Sequence, residues 1–176
     1  MNSSTAVENE EHHSTRLTRD FEQLRQSPLF SGLHLDAVKL FAYLSRHRTF
    51  APGDLLIEQG EKADKAFVLS EGCVEVIVMH KGEQVVLHRL ENEIFFGELA
   101  LLAQFDWFCS VKALTDVDAL IIDRTSFQKV LEKFPIHKDG LIERVVQLRV
   151  GRLVDQTAYM LDKLLPADSI PATALI

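Results

Sequence analysis

The sequence predicts an α+β chain, mainly β: an eight-stranded jelly-roll β-barrel flanked by N-terminal helices and a long C-terminal helix. Three observations predict it. Turn residues recur about every ten positions between 48 and 123. The runs between them are short and rich in β-branched and aromatic residues. Before and after that stretch, apolar residues recur at helical spacing.

The elements follow in chain order. Residues 1–15 are polar and acidic with no periodic apolar face, so a disordered tail is expected there. A short helix from Leu17 to Leu24 ends at Ser27-Pro28, because proline disfavours the helical conformation of the residue before it. Leu33, Ala37, Leu40, Phe41 and Leu44 mark a helix over 35–46, with Asp36 favoring its first turn. Strands are expected at Leu55–Ile57, Ala66–Leu69, Val74–Val78, Val85–His88, Cys109–Ala113 and Ala119–Ile122. Val74, Val76 and Val78 alternate with Glu75, Ile77 and Met79, which places one face in the core. Ser126 to Phe134 forms a helix stopped by Pro135, and Pro135 and Gly140 bracket a hinge. A long helix over 141–165 carries Val146, Val150, Leu153, Thr157, Met160 and Leu164 at alternating steps of four and three. That is a heptad seam suited to a homodimer. The expected units are a tail (1–15), a barrel with N-terminal helices (16–134), a hinge and long helix (135–165) and a flexible tail (166–176).

Composition excludes several function classes. The net charge of −7 argues against general nucleic-acid binding, which draws on a basic face. No apolar run approaches the roughly 20 residues that span a bilayer, and the N-terminus has no signal-peptide profile. The two cysteines, Cys73 and Cys109, form no disulfide framework; a reducing, cytoplasmic setting is expected. No Walker-type loop, metal-ligand spacing or nucleophile motif is present, so neither an enzyme nor a cofactor is expected.

The motif that carries chemistry is Phe96-Gly97-Glu98-Leu99-Ala100-Leu101. Gly97 lets backbone approach a ligand closely and opens a short helix, 98–103, whose N-terminal N–H groups suit a phosphate. Glu98 can accept a hydrogen bond from a ribose hydroxyl. Pro52-Gly53-Asp54, Gly60, Asp64, the hairpin Phe67–Val76 and Phe95–Leu102 occur in order. With these, the chain from about Ser27 to Leu165 resembles the cyclic-nucleotide-binding domain family. The resemblance implies a regulatory module whose phosphate-binding cassette is Phe96, Gly97, Glu98, Leu99 and Ala100, continued by Trp107, Phe108, Cys109 and Ser110.

The cassette departs from the family pattern Pro-Arg-Ala-Ala/Thr. Trp107 stands where the family has the arginine that pairs with the cyclic phosphate, and Asp106 stands for the proline. A partly buried phosphate without its counter-charge loses roughly 3–5 kcal/mol, about two to four decades of affinity. Asp106 adds a negative charge near the same place. Trp107 and Phe108 either fill the pocket from inside or form an outward aromatic patch for a protein partner. Among nearby cations, Lys81, His88, Arg89 and Lys112 ordinarily serve as solvated surface charge.

Two readings follow. One is a scaffold with weak or absent cAMP and cGMP binding that works through a protein partner or a homodimer. The other is a cyclic nucleotide or cyclic dinucleotide sensor that signals through its C-terminal helix. The residues after Leu165 hold no recognition helix, so direct DNA binding is not expected.

Overall fold

A computed structural model describes residues 3–164 of the chain. Its helices are α1 (Ser3–Gln26), α2 (Leu35–Leu44), α3 (Arg124–Lys133) and α4 (Lys138–Leu164). Its strands are β1 (Arg46–Phe50), β2 (Leu55–Ile57), β3 (Lys65–Glu71), β4 (Cys73–His80), β5 (Glu83–Glu91), β6 (Ile94–Phe96), β7 (Ser110–Ala113) and β8 (Val117–Asp123). They form two antiparallel four-stranded sheets, ordered β1-β8-β3-β6 and β2-β7-β4-β5. Pairing β4 with β5, β3 with β6, β2 with β7 and β1 with β8 is the signature of one long hairpin rolled over on itself, the jelly roll. The expected barrel is not closed, and its two sheets face each other as separate layers.

In the first sheet, the inner strands β3 and β8 are buried on both faces. Ala66 and Val68 of β3 point to the helices and pack with Phe30, Phe41, Phe95 and Phe127. Phe67 and Leu69 point the other way, into the space between the sheets, with Phe96, Val111 and Ile121. This explains why β3 and β8 read as near-continuous apolar runs rather than alternating ones. The second sheet ends in β5, an edge strand paired on one side only. There Val85, Val86 and Leu87 are all exposed.

Several expectations are corrected. The tail expected over 1–15 is helical from Ser3 onward, as part of α1. Strand β4 breaks its alternation: Val74 and Val76 are buried, but so is Ile77 rather than Val78. The register shifts there because β5 carries an extra residue, Leu87, opposite the Val76–Ile77 step. Gly140, expected to bracket a hinge with Pro135, lies within the first turn of α4, and Pro135 opens the 3-10 turn Pro135–His137. Residues 165–176, including the tail expected from 166, lie outside the described residues. Both cysteines are free.

Candidate functional site

Gly97 ends β6 with φ 80°, in the left-handed region that favours glycine. A Cβ there would meet the Lys65 carbonyl oxygen at 3.1 Å and the Trp107 ring carbon Cη2 at 3.2 Å. The chain then makes a 3-10 turn, Glu98–Leu101, in place of the helix expected over 98–103. Arg124, at the start of α3, pins this turn from beneath. Its guanidinium donates to the carbonyls of Ala100 and Ala103, each at 2.5 Å, and to that of Ala63.

Beyond the turn the chain is stitched to the loop at Gly60. Trp107 N–H donates to the Glu61 carbonyl at 2.8 Å, and Gly60 N–H donates to the Trp107 carbonyl at 2.7 Å. Asp106 faces outward and pairs with Lys62 at 3.2 Å. Its charge is therefore turned to solvent, contrary to the expectation that it opposes an anion in the pocket. The stitching fixes the two aromatics that follow on opposite sides. Trp107 is only 7% exposed and packs edge-on against Phe105, with ring centroids 5.4 Å apart. Phe108 is 59% exposed.

Between this wall and α4 lies a cavity of about 290 Å³. Phe96, Gly97, Glu98, Leu99, Trp107, Phe108 and Cys109 all line it. Two residues expected there do not. Ala100 is buried in the inter-sheet core, and the Ser110 hydroxyl accepts the Gln59 N–H at 2.9 Å. A larger cavity of about 380 Å³ lies between α1 and β3 and includes no cassette residue.

Glu98 is 3% exposed, and one oxygen of its carboxylate is occupied. Arg152 of α4 donates from Nη1 to Glu98 Oε2 at 2.7 Å and from Nη2 to the Phe95 carbonyl. Arg149 and Gln156 line the same cavity from α4. Loss of hydration, and after it the Arg152 charge, push the His88 imidazole below its ordinary pKa. Burial pushes the Cys109 thiol up, against a smaller pull from Arg149. Both groups are thus uncharged near neutrality, and the charges on the cavity are Glu98, Arg152 and Arg149. Among the described residues, no group of His, Cys, Asp or Glu could hold a metal ion. No described helix is long and apolar enough to cross a membrane.

A family model described as the cyclic nucleotide-binding domain matches residues 47–134, half of the chain. This chain belongs to the cyclic nucleotide-binding domain family. It is 35% identical over 133 residues to a cAMP-dependent protein kinase regulatory subunit of Hypocrea atroviridis, covering 76% of this chain and 27% of that protein. It is 27% identical over 135 residues to the HTH-type transcriptional regulator Cmr of Mycobacterium tuberculosis, covering 77% of this chain and 55% of that one. The chain thus spans about half or less of the curated relatives it matches. Among solved structures, the N-terminal domain of a transcriptional regulator from Streptomyces coelicolor superposes with a TM-score of 0.65 at 27% identity. That match covers 76% of this chain and 95% of the other. A cyclic nucleotide-binding domain from Methylobacillus flagellatus superposes with a TM-score of 0.72 at 17% identity, covering 84% and 83%, and shows the shared fold.

For a cyclic nucleotide-binding domain, the cations around this cavity are unexpected. Of the four considered from sequence, only His88 lines it; Arg89 instead pairs with Glu75 at 3.3 Å. The cavity's guanidiniums come from α4, and sequence reasoning missed them. The spacing of Arg149, Arg152 and Gln156 at steps of three and four was the available signal.

Proposed function

We propose that this chain is a non-enzymatic regulatory module in which cAMP and cGMP binding is weak or lost. It works in the cytoplasm through protein contacts made by α4, in the first place a homodimer, without touching DNA itself. The observation that carries this reading is the Trp107 indole lying against Gly97, where a cyclic phosphate would need the close backbone approach. Glu98, the group for a ribose hydroxyl, is already held by Arg152. A nucleotide that took Oε2 from Arg152 would break a largely buried ion pair, at a cost of several kcal/mol.

The dimer reading draws support from α4. Only Leu141 and Val145 of this helix are buried. Val146, Val150, Leu153, Met160 and Leu164 are all exposed, so the heptad seam does not lie on its own sheets. Thr157 fits the seam, because its hydroxyl donates to the Leu153 carbonyl at 2.7 Å within the same helix.

Isothermal titration with cAMP and cGMP tests the ligand half. The expected result is no saturable heat up to millimolar nucleotide; saturation at micromolar concentration would reject it. One observation favours the sensor reading instead. Arg152 links Glu98 directly to α4, so a ligand capturing Glu98 would release the helix.

A further inference from the structure

We propose that the cavity beneath α4 takes a small organic monoanion with a flat apolar body, of the aryl-alkyl carboxylate class. The carboxylate would sit on Arg149 and the ring among Phe96, Phe105 and Trp107. The inference deepens the reading above, since it rests on the cyclic-phosphate end of the cavity being closed.

The argument is one of charge and shape. Glu98 and Arg152 neutralise each other at 2.7 Å. His88 and Cys109 are uncharged near neutrality for the reasons given. Arg149 lines the cavity and has no hydrogen-bond or ion-pair partner among the described residues, so the site carries one unmatched positive charge. A neutral ligand leaves that guanidinium unpaired. A polyphosphate brings more charge than one guanidinium balances. Arg149 lies near enough to Cys109 for its charge to act on that thiol.

Apart from Gln156, the remaining walls are apolar: Ile57, Val76, Leu90 and Val111 join the three aromatic rings. The Trp107 Nε1–H is buried and has no hydrogen-bond partner among the described residues. A cavity of about 290 Å³ stands at the small end of ligand pockets, which run from roughly 300 to 1,000 Å³. That size suits a single-ring acid.

Trp107 is the single tryptophan of the chain, so its emission reports on this cavity alone. The test titrates the full chain with 3-phenylpropionate, with the uncharged isostere 3-phenylpropanamide, and with cAMP. The acid is expected to shift Trp107 emission saturably, with the amide at least about tenfold weaker, roughly 1.4 kcal/mol. Arg149→Gln, which removes no hydrogen bond or ion pair among the described residues, should bind acid and amide alike. Equal binding of acid and amide by the unaltered chain overturns the proposal, as does no saturable change with either. If cAMP also binds tightly while the acid keeps its dependence on Arg149, only the proposed loss of nucleotide binding fails.

Discussion

At the scale of single residues, Trp107 and Asp20 show how burial decides chemistry. Trp107 is held inward by its backbone bonds to the Gly60 loop, so its indole becomes part of the wall. Asp20 of α1 is buried, and its Oδ1 has no hydrogen-bond partner among the described residues. Burial raises its pKa, with Asp118 adding to the shift and His47, Arg16 and Arg19 opposing it. The folded chain therefore holds this proton more tightly than the unfolded chain does. Stability falls as pH rises from the unfolded carboxylate value of about 3.9 through the higher folded value. Asp20→Asn should stabilise the protein at pH 7 and change little at pH 3.5, as read by urea denaturation at both. An equal effect at the two pH values would reject the linkage. The sequence made Gly97, Glu98 and Trp107 legible, because a glycine before an acid and an indole in place of a cation are local facts. Arg149 and Arg152 were not legible. A charged stripe on an amphipathic helix looks the same whether it faces water or a cavity, and only the docking of α4 by Leu141 and Val145 settles which.

At the scale of elements, the turns carry more of the fold than their length implies. Gly72 joins β3 to β4 with φ 101°, and a Cβ there would lie 2.4 Å from the Asp116 carbonyl oxygen and 2.9 Å from Val117 Cα. Neither neighbour is a flexible side-chain end. Gly72→Ala should cost about 3 kcal/mol, combining the left-handed backbone penalty with the clash. That lowers Tm by roughly 6–12 °C, measurable by calorimetry. Gly82, with φ 85° and open space around its Cβ position, provides the control: Gly82→Ala carries the backbone strain without the clash and should cost less. Strands with period-two or continuous apolar character were readable in sequence. β1, Arg46-His47-Arg48-Thr49-Phe50, was not, because its stability comes from pairing with β8 rather than from its own composition. β6 was hidden for a different reason: its three residues merge with the cassette turn that follows.

At the scale of the whole molecule, α4 is a long rod held by buried Leu141 and Val145 near its start and by the Arg152–Glu98 pair near its middle. Most of its apolar residues beyond Val145 have no cover within the described chain. Sedimentation at micromolar concentration should give a particle of about twice the mass of one chain. Leu153→Glu, which places a charge in the middle of the seam, should raise the dimer dissociation constant at least about a hundredfold, or roughly 3 kcal/mol. Because Leu153 is exposed within one chain, the substitution should leave the fold of the monomer unchanged by circular dichroism. A monomer at all accessible concentrations would end the homodimer reading. The seam residues and the pair Arg149 and Arg152 occupy neighbouring flanks of the same rod, about a quarter turn apart. Association and cavity occupancy therefore act on one rigid body, and any preference of a cavity ligand for the paired state works equally in both directions. Diluting the protein through its association midpoint should then loosen ligand by the same factor by which saturating ligand tightens association.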